Sequence, residues 1–257
     1  MNTLVFDVET VPDTAYGRRL HGLPDATDGE VAEVMFAKRR AEAGTDFLSH
    51  EQHRVVAISA VMRTRDSLAV WSVGEEASPE KELLERFFDG LDKYVPTLVS
   101  WNGSGFDLPV LHYRCLLHGV AASRYWETGD HDTSFRYNNY LGRFHWRHMD
   151  LMDILSGFQG RGRASLSDIA SLLGLPGKIG LHGSEVWDAY RRGELARIRA
   201  YCESDVLNTY LIYLRFELLR GNLSAAEHGQ EVRRVRQFLG ASAEVHHREF
   251  LAAWPGP

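Results

Sequence analysis

Apolar and polar positions alternate at the start of the chain. Leu4, Phe6 and Val8 interleave with Val5, Asp7 and Glu9, which predicts a strand over residues 4–8. Residues 13–50 are polar and charged, with helical stretches around Glu30 to Glu42, and read as an insertion between strands. Two β-rich runs follow at 55–62 and 68–73, separated by Thr64, Arg65 and Asp66. They predict an antiparallel hairpin. Residues 79–94 carry Leu83, Leu84, Phe87, Phe88 and Leu91 at helical spacing, and Thr97–Ser100 is a short apolar run that predicts a strand. A helix after Asp107 ends at Gly119. Further helices begin near Asp150, Ser165 and Ser184, and a long one spans 194–220. Ser165, three residues before Asp168, is a plausible N-cap, and Gly221 is placed as a C-terminal cap. Strand, hairpin, helix, strand and then helices predict an α/β fold, a mixed sheet flanked by helices.

Length and composition keep this to one unit. With 257 residues, 44% of them hydrophobic, the chain can bury one large α/β core. We read residues 1–257 as a single domain with a core at about 3–220, a helical insertion at about 13–50 and an extension at about 221–257. The net charge of -6 argues against a strongly basic nucleic-acid binder, although a carboxylate cluster built to hold cations adds to the negative count. Cys115 and Cys202 form no CxxC pair, so the cysteines indicate neither a disulfide framework nor a zinc site. A cytoplasmic location is expected, because the N-terminus lacks the pattern of a signal peptide. No apolar run approaches the ~18 residues of a membrane span.

Three segments carry candidate chemistry. Period two sets Asp7 and Glu9 side by side on one strand face, where the pair fits either a solvated edge or a cation site. The stretch SWNGSGFDLP, Ser100 to Pro109, is a strand-to-helix turn. Asn102, Gly103 and Gly105 suit a plain turn with Asp107 as helix N-cap, and equally a functional loop. In the long helix, Leu195, Ile198, Cys202, Val206, Leu211, Leu214 and Leu218 form an apolar stripe. Tyr201 and Asp205, four apart, stack on one face. Elsewhere, Gly177-Lys178-Ile179 is not a phosphate loop, and Lys178 reads as part of a flexible surface loop, with a place near a phosphate as the second reading. His148 reads as a packed, hydrogen-bonded residue, while His50 and His53 are too loosely placed to be ligands.

Taken together, Asp7-x-Glu9, Asn102-x3-Phe106-Asp107 and Tyr201-x3-Asp205 resemble the DEDD superfamily of 3′-5′ exonucleases, in its tyrosine-bearing branch. The histidine-bearing branch has His five positions before the last Asp, where this chain has Ala200. The stretches HRVVAISAVMR, NNYLGRFHWRHMDLMDIL, LPGKIGLHGSEVWDAY and RAYCESDVLNTYLIYLRF resemble the predicted DNA-polymerase-B-type stand-alone exonucleases. The likeness covers most of residues 3–220.

The resemblance implies a ribonuclease-H-like fold and a two-metal-ion hydrolysis of phosphodiesters using Mg²⁺ or Mn²⁺. It implies that Asp7 bridges the ions, that Glu9 and Asp205 hold the ion carrying the attacking water, that Asp107 holds the second, and that Tyr201 orients the water. The expected substrate is the 3′ end of single-stranded DNA, with RNA or short oligonucleotides as a second reading and a catalytically inactive nucleic-acid-binding module as a third. Thr10, Asn102 and Phe106 are expected to touch substrate. In RYNNYLGRFHWRH, basic residues interleave with aromatics, so Arg143 or Arg147 is expected to contact phosphate.

Overall fold

The computed structural model describes residues 2–255. Strand β1 (Thr3–Pro12) outruns the expected 4–8. It keeps pairing with the antiparallel β2 (His53–Arg63), because a bulge between Glu9 and Thr10 resets the register from Glu9↔Ala57 to Thr10↔Val55. Such an extra residue bends a strand and re-aims its side chains, here beside Glu9. β2 pairs antiparallel with β3 (Leu68–Ser72), the predicted hairpin. β4 (Thr97–Ser100) runs parallel to β1, and β5 (His148–Asp150) runs parallel to β4. The order β3-β2-β1-β4-β5 makes the expected mixed sheet. β5 was not foreseen, since three residues are too short to show alternation. Asp150, where a helix was expected, caps α5 (Leu151–Leu155).

The insertion between β1 and β2 folds as α1 (Thr14–His21) and α2 (Asp28–Ala43). α3 (Glu80–Tyr94) and α4 (Asp107–His118) cover one face of the sheet. There Leu4, Phe6 and Val8 meet Leu84, Phe87, Leu91 and Leu111. Short helices α6 (Leu166–Leu172) and α7 (Val186–Arg191) lead into α8 (Leu195–Leu219). Ser165 caps α6 as expected, accepting from Asp168 N, and Gly221 follows α8 in the left-handed conformation at φ 77°. α9 (Ala225–Ala241) and α10 (Val245–Ala253) form the C-terminal extension.

α8 lies against the second sheet face. Val5, Val99 and Met149 pack on Val206, Tyr210 and Leu211, with Val235 and Phe250 closing the layer from α9 and α10. The expected single apolar stripe is therefore too narrow. α8 is buried on all sides from Tyr201 to Ile212, because the sheet covers one flank and the extension another. Among the described residues no helix is long and apolar enough to cross a membrane.

Candidate active site

Asp7 and Glu9 lie on the face of β1 that meets α8. The parallel neighbour β4 ends at Ser100, and the chain turns at once into α4. The turn is tightly specified. Asn102 takes the left-handed conformation at φ 64°, and its carbonyl accepts from Gly105 N at 2.9 Å and Phe106 N at 3.0 Å. A side chain at Gly103 would strike Ser100, and a Cβ at Gly105 would lie 2.5 Å from Asn102 Oδ1. Asp150 fastens the turn from β5, accepting from Asn102 N at 3.0 Å and Ser104 N at 2.9 Å. His148 Nε2 meets Ser100 Oγ at 2.9 Å. Both are structural groups in the protein alone.

Asp107 is the first residue of α4 and does not cap it. Phe106 is the N-cap, without a side-chain cap bond. The Asp107 carboxylate instead accepts from Val8 N at 3.0 Å, reaching across to β1 between the two acids of that strand. From the other side, α8 brings up Tyr201 and Asp205, both buried. Asp205 Oδ1 is buried without a hydrogen-bond partner. Three segments far apart in sequence thus bring four carboxylates together.

Crowding leaves an electrostatic signature. Burial raises the Asp7 carboxyl well above the usual range, and the charges of Asp107, Glu9 and Asp205 raise it further. Burial and Asp205 do the same to Glu9. Burial lifts Asp107 to about 7 and Asp205 to about 6. The Tyr201 phenol is pushed far up by burial and by Asp205, Glu9 and Asp7, so near neutrality it is a hydrogen-bond donor and not a base. Buried like charges of this kind are costly unless cations sit among them. An all-oxygen donor set suits hard divalent ions.

The structure also brings to the site residues that the sequence analysis set aside, and one, Asn208, that it did not single out. The Lys178 ammonium lies 5.5 Å from the centre of the Tyr201 ring and lowers the pKa of both Glu9 and Asp205. Its loop is clamped to α8 by fully buried Asn208, which accepts from Gly177 N at 3.1 Å and donates to Gly177 O at 2.8 Å. Asn208 stands three residues after Asp205, and that helical spacing was the available signal. Cys202 Sγ lies 3.4 Å from the Asp7 carbonyl and 3.6 Å from Asp7 Oδ2. His53 Nδ1 holds Thr10 Oγ1 at 2.8 Å, and His50 Nε2 meets Gly105 O at 2.8 Å. Neither histidine needs to be a ligand to matter.

A groove of about 790 Å³ opens over these groups, lined by Glu9, Thr10, Phe47, Phe106, Lys178 and Trp187 among others. Thr10 and Phe106 line this groove, while Asn102 shapes the turn that carries Phe106. Arg143 and Arg147 are placed differently. Arg147 donates to Asn138 O at 2.6 Å and stacks 3.9 Å from the Phe135 ring centre. Arg143 stacks 4.7 Å from the Phe158 ring centre and lines a separate cavity of about 330 Å³ with Ser104, Asp150 and Asp153.

Comparison with known proteins places the chain in a family. Among solved structures, the chain is similar to the family B DNA polymerase from the hyperthermophilic archaeon Pyrobaculum calidifontis, at 16% identity and a TM-score of 0.49. The match covers 98% of this chain and 27% of that one, so the chain spans about a quarter of the polymerase's length. No curated protein matches. A family model matches residues 45–254, a span that holds Asp107, Lys178, Tyr201 and Asp205 and begins after Asp7 and Glu9. On that match the chain belongs to the family of predicted 3′-5′ exonucleases related to the exonuclease domain of PolB.

Proposed function

We propose that this chain hydrolyses phosphodiester bonds from the 3′ end of single-stranded nucleic acid, DNA in the first instance, with two divalent ions, Mg²⁺ or Mn²⁺, as cofactors. The observation that carries this reading is the convergence of Asp7, Glu9, Asp107 and Asp205 in one buried cluster, with their carboxyls raised by burial and by one another. Such a cluster disfavours its own ionised form and so favours cation binding. The orphaned Asp205 Oδ1 is a ligand atom without a partner in the protein.

Asp7, Glu9, Asp107 and Asp205 would hold the ions, with Asp7 the shared acid because the charges of all three others act on it. When bound, the ions supply Lewis acidity at the phosphate and acidify water. The protein's own groups do the rest. Tyr201 keeps its proton and donates a hydrogen bond that orients the attacking water. Lys178 offers a cation to a phosphate oxygen at the groove. Phe106, packed edge-on to His53 with ring centres 5.0 Å apart, and Thr10, held by His53, form the wall against which the terminal nucleotide rests. Asn102 shapes that wall, and Arg143 is the remaining candidate for a phosphate farther along the strand. The exonuclease unit takes in the core at about 3–220 with its insertion, and the C-terminal extension buttresses α8.

The test is a 5′-labelled strand, DNA or RNA, free or blocked at its 3′ end, with Mg²⁺, Mn²⁺ or EDTA. Stepwise shortening of the free strand that stops in EDTA is expected. Robust cleavage in EDTA, or internal cuts in the blocked strand, would overturn the proposal. The ratio of DNA to RNA rates assigns the sugar preference.

A further inference from the structure

A second cluster of ligating groups lies on the other side of α8. Glu203 is two residues from both Tyr201 and Asp205, so it points away from the nuclease acids and toward β3 and the start of α10. Its Oε2 meets His246 Nε2 at 2.7 Å and His247 Nε2 at 3.1 Å. The three ligand atoms lie within 4.8 Å of one another. We propose that Glu203, His246 and His247 form a binding site for a first-row transition-metal ion of the Zn²⁺ class, separate from the nuclease centre, that fastens the C-terminal helices to the catalytic helix.

The donor set is two imidazoles and one carboxylate, which suits a borderline ion such as Zn²⁺ and is poorly matched to Mg²⁺. Outer hydrogen bonds are in place on both sides. Glu203 Oε1 accepts from Ser72 Oγ at 2.7 Å, which in turn meets Ser59 Oγ at 2.9 Å. His247 Nδ1 meets Ser242 Oγ at 2.8 Å, and that oxygen also accepts from Glu244 N at 3.1 Å. Metal-bound histidines commonly donate their second ring nitrogen in this way. When His247 Nδ1–H donates to Ser242, its Nε2 turns a lone pair toward the Glu203 carboxylate, and a cation between them satisfies both. Ligands at ~2.0–2.1 Å from a tetrahedral ion stand ~3.3 Å apart. The His247 pair is near that separation already, and the His246 pair reaches it by a small rotation of a half-buried side chain. The open flank beside His246, whose side chain is 19% exposed, leaves room for a water as fourth ligand. Glu203 and His247 are buried, so the ion would sit at the base of the extension.

The nuclease acids can also take Zn²⁺, and the experiment separates the two sites. Full-length wild type, Asp7→Asn and Asp7→Asn/His246→Ala proteins are stripped with chelator, loaded with Zn²⁺, gel-filtered and analysed for metal. The Asp7→Asn protein should retain one equivalent and gain thermal stability on loading. Asp7→Asn/His246→Ala should lose that equivalent and its Zn²⁺-dependent rise in Tm, while remaining folded by circular dichroism. Co²⁺ in the Asp7→Asn protein should give the visible absorption of a tetrahedral, nitrogen-ligated ion, a readout that needs no second variant. Zn²⁺ retained equally by the double variant, or no Zn²⁺ and no Co²⁺ band in Asp7→Asn, would overturn the site and leave the histidines as hydrogen-bond donors to Glu203. Neither result depends on the nuclease assay, so the two proposals fail separately.

Discussion

Asp7 is where the residue-scale argument is sharpest. Its carboxyl is disfavoured by burial and by three neighbouring acids, so without a cation beside it the ionised group works against the folded state. Asp7→Ala should abolish nuclease activity and raise the Tm measured in EDTA, because removing one of several crowded carboxylates relieves repulsion. Activity near wild type would remove Asp7 from the shared-ligand role. Tyr201 makes a different claim. Its phenol stays protonated across any working pH, so Tyr201→Phe should lower kcat with little change in KM, the pattern of an interaction made in the transition state. An effect on KM alone would show that the hydroxyl binds substrate. These side chains were legible in the sequence because each sits at a short fixed spacing from its partner. Lys178 was legible only as the second of two readings, since a lone lysine between glycines in Gly177-Lys178-Ile179-Gly180 has no periodicity to betray where its loop is held.

Among the elements, the loop of Lys178 and the helix α8 are joined by one buried amide. Asn208 satisfies both backbone groups of Gly177 and also donates to Ser204 O at 2.9 Å. Asn208→Ala should leave the Gly177 groups unpaired and cost about 1–3 kcal/mol. It should also lower kcat/KM by freeing Lys178, whereas Lys178→Ala should lower kcat/KM without that loss of stability. Equal unfolding midpoints for wild type and Asn208→Ala in urea would show that the clamp carries no energy. A second buried polar joint ties the insertion to the sheet: Arg114 in α4 pairs with Glu80 at 2.6 Å and Asp13 at 2.5 Å. Glu80 also accepts from Val55 N at 2.7 Å. Arg114→Ala would strand two buried carboxylates, with an expected loss of about 3–5 kcal/mol; a loss within ~1 kcal/mol, read from denaturant unfolding, would contradict this. Long periodic elements such as β2, α3 and α8 could be read from the chain because their patterns persist over many residues. β5 could not, because a three-residue strand is defined by its partner β4. The burial of α8 on all sides was hidden for the same reason, since its cover comes from distant elements, the sheet on one flank and α9 and α10 on another.

Over the whole molecule, buried titratable groups pull stability in opposite directions with pH, and the sign can be worked out. The four clustered carboxyls have raised pKa values in the folded protein, about 6 for Asp205 and about 7 for Asp107, with Asp7 and Glu9 also raised. Unfolded carboxyls titrate near ~4. Between those limits the folded state holds protons that the unfolded state has given up, so this cluster makes the metal-free protein less stable as pH rises from about 4 through about 7. His53, His112 and His148 do the reverse. Burial lowers each to about 4, against ~6.5 unfolded, so their contribution rises with pH across that window. The net slope mixes both, but the difference between wild type and Asp7→Asn isolates the acids. In EDTA, Asp7→Asn should gain Tm over wild type progressively from pH 5 to pH 8. Mn²⁺ binds the ionised carboxylates, so its stabilisation of wild type should grow over the same range and be small at pH 5. Thermal scans of both proteins at pH 5, 6, 7 and 8, with EDTA or Mn²⁺, make the comparison. A difference between the two proteins that stays constant with pH would mean that the acids are ionised throughout, and the cluster would then be a solvated patch and not a buried cation site.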